Sequence, residues 1–370
     1  MTTPPSPTVP QDRAAWRAHL LFPAATLAPV PVLVAGCLLG GAWSLAALLF
    51  VTVFAGLMDL LSRRIDMEAE FPAGTALSVV LGVVHFPLLA LSVWALAGGG
   101  LAGSGLAGGE LAGEAGTGWL SRLASFAALG VWFGQVSNSN AHELIHRPGA
   151  GLARLGRWIY ISLLFGHHAS AHPKVHHRHV GSPADPNTAR RGESFHRFAR
   201  RAWLGSFRAG YRAEAELLAR GATRRAHPYR SYLLGAVLCL GAAAGIGGVA
   251  GLAWYLALCA HAQIQLLLSD YVQHYGLQRA EIAPGRFEPV AARHSWNAPH
   301  PYSSRMMLHA PRHSDHHAHP ARPFTALTLP DGAPTLPHSV PVMALLALYP
   351  RGWKRVMHPR LDALQSGPAG

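Results

Sequence analysis

The sequence predicts an all-α integral membrane protein, with six transmembrane helices carrying a cytoplasmic, histidine-rich metal cap. Three observations predict it. Half of the 370 residues are hydrophobic and only 13% are charged, below the share of about a quarter usual in soluble domains. The apolar residues are clumped into runs long enough to cross a bilayer, which takes about 20 residues. The chain also holds 23 histidines, far more than its length should carry, and they gather at one side of those runs.

The formal charge of +13 comes almost wholly from arginine, since Lys174 and Lys354 are the only lysines. A basic balance suits nucleic acid or a membrane surface. Here the arginines flank apolar spans, so the partner is the lipid bilayer and not nucleic acid. Cys37, Cys239 and Cys259 all lie in apolar stretches, and no C-x-x-C occurs. That excludes a disulfide framework, a thiolate zinc site and a fused rubredoxin-type iron domain.

Taken in order, residues 1–18 read as an unstructured tail and 19–360 as one transmembrane domain. From Leu20 to Leu61 there is no Lys or Arg, so spans at 20–40 and 42–61 form a hairpin turning near Gly40-Gly41. A third span covers 75–97. A Gly/Ala-rich loop at 98–118 holds Glu110 and Glu114, and a fourth span covers 119–140. The apolar run Trp158–Phe165 is too short to cross and reads as a buried or interfacial helix. Spans at 231–249 and 251–269 follow, separated by glycines. The remainder is polar and His-rich apart from a short apolar stretch at Val340–Leu348, and 361–370 reads as a C-terminal tail. Arg13, Arg17, Arg63, Arg64, Arg147, Arg154 and Arg157 all fall on one side of the six spans. That side is cytoplasmic by the positive-inside rule, which places both termini in the cytoplasm of an inner-membrane protein.

Four histidine boxes fall on that side or at its boundary. His142 and His146 are at i and i+4, on one face of a helix leaving the fourth span. Their H-E-x-x-H pattern also matches the zinc proteases. His172, His176 and His177 follow, with a helix starting at Pro173. His167, His168 and His179 flank this box and are not needed to complete it. His274 ends the sixth span and by spacing alone is open. His313, His316 and His317 are at i, i+3 and i+4, before Pro320, which should stop their helix. A tetrahedral zinc takes four ligands at most. Eight or nine imidazoles therefore imply two metal ions, and imidazole suits Fe, Zn, Cu and Ni alike.

The boxes H-E-L-I-H, H-x-x-x-H-H, H-Y-G-L and R-H-S-D-H-H-A-H-P, in this order around six spans, resemble the membrane-bound non-haem di-iron alkane monooxygenases and their xylene monooxygenase relatives. Asp185-Pro186, Gly192-Glu193-Ser194 and His294-Ser295-Trp296-Asn297 match as well. The resemblance covers roughly residues 20–360. It implies two iron ions held by His142, His146, His172, His176, His177, His274, His313, His316 and His317, and it makes His274 a ligand. It also implies O2 as co-substrate, a hydrophobic small-molecule substrate hydroxylated at a terminal carbon, and electrons from rubredoxin or a ferredoxin-type donor with its NAD(P)H-dependent reductase. The first box departs from many alkane hydroxylases, which have Gly and then Lys around the second His.

Ligating imidazoles need partners for their second ring nitrogen. Glu143 and Asp315 are the first candidates, with Asp185, Asp270 and Asn140 behind them. His85 and His261 lie inside spans, where interhelical hydrogen bonding accounts for them. The competing readings are hydroxylation of alkyl aromatics, a fatty-acid desaturase or hydroxylase, an intramembrane zinc protease built on His142, Glu143 and His146, and a metal transporter. The protease leaves His313, His316 and His317 unexplained. A transporter would set its ionisable residues in mid-membrane.

Overall fold

A computed structural model describes residues 14–62, 74–100, 118–221 and 226–366. The expected tail up to Arg13, the arginines Arg63 and Arg64, and the loop carboxylates Glu110 and Glu114 lie outside the described residues. The chain is mostly helical. Helices α1 (Ala14–Thr26) and α2 (Pro29–Leu39) follow one another, then α3 (Gly41–Leu61) and α4 (Thr75–Leu96). A continuous helix α5 covers 119–145, followed by α6 (Ala150–Ser162), α7 over 168–179 and α8 (Phe195–Arg220). The helical stretch Pro228–His274 is two helices, α9 over 228–246 and α10 over 249–274. A small antiparallel hairpin pairs β1 (Glu281–Ala283) with β2 (Arg286–Phe287). Four short helices close the chain: α11 (Pro301–Met306), α12 (His313–Ala318), α13 (Val340–Ala347) and α14 (Pro350–Gln365).

Among the described residues, four helical stretches are long and apolar enough to cross a membrane: Leu20–Leu39, Gly41–Leu61, Thr75–Leu96 and Pro228–His274. The last, at 47 residues, would be roughly 70 Å long if straight. It breaks instead at Gly247 and Gly248, the latter with φ +60°. Gly40 and Gly41, both at positive φ, turn the first hairpin. A side chain is strained in that region of backbone space, and glycine is not.

The expected fourth span, 119–140, is helical throughout but is not among those four. Its C-terminal half carries polar groups that are spent inside the bundle. Asn138 Nδ2 donates to Gly134 O at 3.1 Å and Ala262 O at 2.9 Å, and Asn140 Nδ2 donates to Ser78 O at 2.9 Å. His85 is likewise consumed, 2.5 Å from Ser137 Oγ and 2.7 Å from Ser162 Oγ. In lipid such groups must find partners within the protein. Leu233, Leu234, Val237 and Leu238 on α9 point outward, exposed, as a lipid-facing wall should.

Both expected ends of the domain are exceeded. Helix α1 begins at Ala14, inside 1–18, and α14 runs to Gln365, inside 361–370. The C-terminal extension is held because Leu361 is buried in a second core cluster with Tyr271, Tyr275, Trp353 and Met357. That cluster fixes α14 beneath the end of α10.

Candidate metal centre

Each box sits where a helix ends or begins. His142 lies in the last turn of α5 and His146 caps it, and His274 is the last residue of α10. Helix α12 carries His313, His316 and His317, and its first turn is tied back to α10. Asn297 Oδ1 accepts from Ser314 N at 3.0 Å, and Asn297 Nδ2 donates to Ser314 Oγ at 2.7 Å. Next door, Trp296 N donates to Gln273 O at 2.8 Å, and its indole to Tyr275 O at 3.0 Å. The H-S-W-N stretch is therefore a clasp between two histidine-bearing helices.

The second box does not start a helix at Pro173. Helix α7 begins at His168 and passes through a π-turn at His172–His176. Proline lacks the N–H that an α-helix would use here and its ring crowds the preceding turn; the wider π-turn accommodates it. A π-turn also changes which side chains share a face. His172 and His177 converge, their Nε2 atoms 2.9 Å apart, while His176 is turned the other way.

All nine predicted histidines come together, in two groups. The first is His142, His146, His172, His177 and His316; the second is His176, His274, His313 and His317. Within each group the ligand nitrogens lie within 4.8 Å of one another. The groups adjoin, with the His177 and His317 ring centroids 4.5 Å apart. His167, His168 and His179 belong to neither, although His168 stacks on His172 at 4.9 Å.

Hydrogen bonding does not explain these contacts. His172 Nε2 has two Nε2 neighbours, His142 at 2.8 Å and His177 at 2.9 Å. His313 Nε2 also has two, His274 at 2.9 Å and His317 at 3.1 Å. A ring nitrogen carries either one hydrogen or one lone pair, so it serves one such neighbour, not two. Nitrogens bound at about 2.1 Å to a common cation, at right angles, lie about 3.0 Å apart. The spacing fits lone pairs aimed at a cation in each group. His146 Nε2 and His176 Nε2 are buried with no hydrogen-bond partner, as unspent ligand atoms would be.

The rings are kept in the ligating form. Burial first, and then the neighbouring histidines, hold His142, His172, His177, His316 and His317 well below the usual imidazole range. Burial pushes His313 down to about 3. His176 differs: burial alone would lower it, but the Asp185 carboxylate lifts it above its ordinary value. Asp185 Oδ2 lies 2.9 Å from His176 Nδ1 and also accepts from Thr188 Oγ1 at 2.7 Å. Ala310 O sits 3.2 Å from His313 Nδ1. These contacts leave Nε2 of each ring for the metal.

The other carboxylates bond elsewhere, although the Asp270 charge adds to that of Asp185 in raising His176. Glu143 pairs with Arg147 at 3.2 Å. Asp315 accepts from Arg322 at 2.6 Å and Thr328 N at 2.8 Å, anchoring the loop after α12. Asp270 accepts from Asn187 Nδ2 at 2.6 Å, and Asn140 is bonded to α4. Sequence reasoning passed over Glu214. It is buried on α8, accepts from Ser170 Oγ at 2.5 Å and pairs with Lys174, inside the ligand-bearing π-turn. One of two glutamates among arginines on an amphipathic helix gives no signal of this in sequence.

A cavity of about 50 Å3 touches both groups, through His142 and His172 of the first and His313 of the second. Its remaining wall comes from α5, α10, Tyr160, His168, Met307 and Ala310. Met307 is followed by Leu308 and His309, both buried and both at positive φ, +47° and +52°. Such backbone costs about 1–2 kcal/mol per residue. His309 is held there by its Nδ1, 2.8 Å from Ser304 Oγ.

Residues 117–331 match the family model described as fatty acid desaturase. The chain is 30% identical over 340 residues to alkane 1-monooxygenase 1 of Pseudomonas aeruginosa, covering 88% of this chain and 85% of that one. It is 31% identical over 254 residues to alkane 1-monooxygenase 2 of the same organism, covering 67% of each. The xylene/toluene monooxygenase hydroxylase component of Pseudomonas putida is 27% identical over 223 residues, covering 58% of this chain and 57% of that one.

Proposed function

The chain belongs to the alkane monooxygenase branch of the fatty acid desaturase family, and from that premise we propose that it hydroxylates the terminal carbon of an apolar alkane at two iron ions. The observation that carries this is the pair of adjoining, all-imidazole groups around one cavity. An unactivated C–H bond is beyond acid–base chemistry; iron supplies the redox step with O2, one oxygen atom entering the substrate and the other leaving as water. His142, His146, His172, His177 and His316 would hold one ion, and His176, His274, His313 and His317 the other.

The rest is the work of this chain's own residues. Asp185 and Ala310 O fix the tautomers of His176 and His313. Burial of the rings keeps bulk water from the centre, which limits unproductive reaction with O2. Glu143 is turned onto Arg147, so it is not placed as the general base that a zinc protease needs. Electrons come from a rubredoxin or a ferredoxin-type protein with its NAD(P)H-dependent reductase, consistent with the absence of any C-x-x-C from the sequence. We also infer six crossings of the inner membrane, α9 and α10 being two of them, with both termini and the cap cytoplasmic. The arginine distribution supports that orientation.

The test is product analysis by gas chromatography in cells co-expressing a rubredoxin system and fed octane, dodecane and xylene in parallel, with the metal content of the purified chain. Primary alkanols and iron near two per chain are expected. A chain holding a single zinc, or one that oxidises xylene and neither alkane, would refute the assignment.

A further inference from the structure

Hydroxylation with O2 consumes protons as well as electrons. For each C–H bond converted to C–OH, two electrons and two protons enter and one water leaves. The protons must be handed over inside a buried cavity whose histidines aim their lone pairs at the metals. The wall of that cavity, about 50 Å3 in volume, includes one carboxylate, Asp270. It lies one turn before His274, so the two share a face of α10. Asn187 Nδ2 donates to Asp270 Oδ2 at 2.6 Å, and Asn187 N donates to Asp185 Oδ1 at 3.0 Å. Asn187 thus ties the carboxylate on the cavity to the one behind His176. Asp270 Oδ1 has no hydrogen-bond partner among the described residues. The other proton-bearing groups of the wall are engaged or are poor acids. Ser269 Oγ donates to Gln273 Oε1 at 2.8 Å, and Gln273 Nε2 to Ala310 O at 3.1 Å. The Asn138 amide is bonded within the bundle, and Tyr160 donates to Asn138 O at 3.3 Å. Burial, and then the Asp270 charge, raise the Tyr160 hydroxyl well above its ordinary value. Burial holds His168 well below the usual imidazole range, so it is neutral. Ser139 brings a hydroxyl, which can relay a proton but is too weak an acid to supply one.

We propose that Asp270 is the proton donor of the reaction: it takes up a proton when electrons reach the centre and passes it to the oxygen atom that leaves as water. This rests on the alkane reading above. The O–H bond of the carboxyl breaks, an O–H bond forms in the cavity, and the carboxylate is protonated again from bulk water. The electrons come from the donor protein. Burial drives the cycle. Charge added to a buried centre acts through a poorly screening interior, so electrons arriving beside Asp270 favour its protonated form. The same coupling shows in the other direction, since the Asp270 charge helps to raise His176. Asn187 keeps one carboxylate oxygen occupied and leaves the other for the transfer.

The test is difference infrared spectroscopy of the purified, iron-loaded chain, oxidised against dithionite-reduced, in H2O and in D2O. Reduction should produce the carbonyl band of a protonated carboxyl, moved to lower frequency in D2O. Asp270→Asn keeps the shape and an acceptor for Asn187 but cannot carry the proton, so the band should vanish. Glu143→Gln, which removes another buried carboxyl beside the ligands, should leave it in place. With the electron-donor system and octane, Asp270→Asn should form octanol about 100-fold more slowly than wild type, the lower end for a positioned proton donor. Its iron content should match wild type, and Asp270→Glu should shift the band and recover part of the rate. If Asp270→Asn fails to load iron, Asp270→Glu, which keeps the charge facing His176, decides the matter: an unmoved band overturns the proposal. A band that persists in iron-loaded Asp270→Asn, or octanol formed at the wild-type rate, overturns the proposal while the alkane reading stands. A wild-type chain that loads iron and oxidises no alkane overturns the reading and the proposal with it.

Discussion

Replacing Asp185 by asparagine tests how the second histidine group is built. The variant keeps the shape and one oxygen acceptor but removes the charge facing His176 Nδ1 at 2.9 Å. A hydrogen bond to a charged partner contributes about 1.5–3 kcal/mol and a neutral one about 0.5–1.5. The difference is about 1–1.5 kcal/mol, roughly tenfold in affinity, the lower end of the 10–100-fold usual for partners of ligating histidines. Thr188 Oγ1, 2.7 Å from the same oxygen, keeps its acceptor; the new amide nitrogen instead meets Asn187 N, which donates to the other Asp185 oxygen at 3.0 Å, so tenfold is a lower bound. The assay is chelator competition on the purified chain, with iron followed by mass spectrometry. One ion should leave at a chelator concentration at least about tenfold lower than in wild type, the other at the wild-type concentration. If both ions leave together, or neither is weakened, Asp185 does not support one group separately from the other.

Three further outcomes are expected. His146→Ala and His317→Ala each remove a ligand from a different group, so each should retain about one iron per chain and the double variant none; an equal loss of both ions in either single variant would mean a shared site. Glu214→Gln leaves Lys174 facing a neutral group. Since Lys174 is about a third exposed, the cost should fall below the full buried-pair penalty, at about 2 kcal/mol in a thermal melt, and Lys174→Met/Glu214→Gln should recover part of it. Burial would raise the Glu193 carboxyl, but hydrogen bonds from Arg201, at 2.9 and 2.7 Å, and from Arg190 N bring it below its usual range. Its stabilisation is therefore present above the unfolded carboxyl value and lost as pH falls through the folded one. Glu193→Gln should melt lower than wild type at pH 7, by about 1 kcal/mol, with the gap closing towards pH 3.

The histidines of the first, second and fourth boxes were legible in the sequence because histidine at helical spacing, beside apolar spans, has few other uses; His274 entered only through the family resemblance. How they divide was not legible. Spacing places His172 with His176 on an α-helix, and the π-turn pairs His172 with His177 instead. The carboxylates were harder still. Glu143 is one residue from His142, about 100° around the helix, so proximity in sequence turns it away from the centre. Asp315 is two residues from His313 and faces Arg322. Asp185 reaches His176 from a loop nine residues on, where only the folded chain brings it close. The boundaries of the spans were clear in the first two hairpin helices and in α4, which are apolar throughout. They were obscure in α5, whose asparagines and serines are satisfied within the bundle and lower its hydropathy.

The π-turn has a consequence for anyone who would copy this centre. A designer grafting His172, His176 and His177 onto an ideal helix would reproduce every side chain and assemble the wrong pair, because successive residues there are about 100° apart, so i+3 and i+4 align with i, and i+5 does not. His177 would swing away from His172, and the division into two groups would be lost. The instruction that separates the two histidine groups is written in the backbone, as a single residue's worth of extra turn. It would be lost in any transplant that carried the histidines without it.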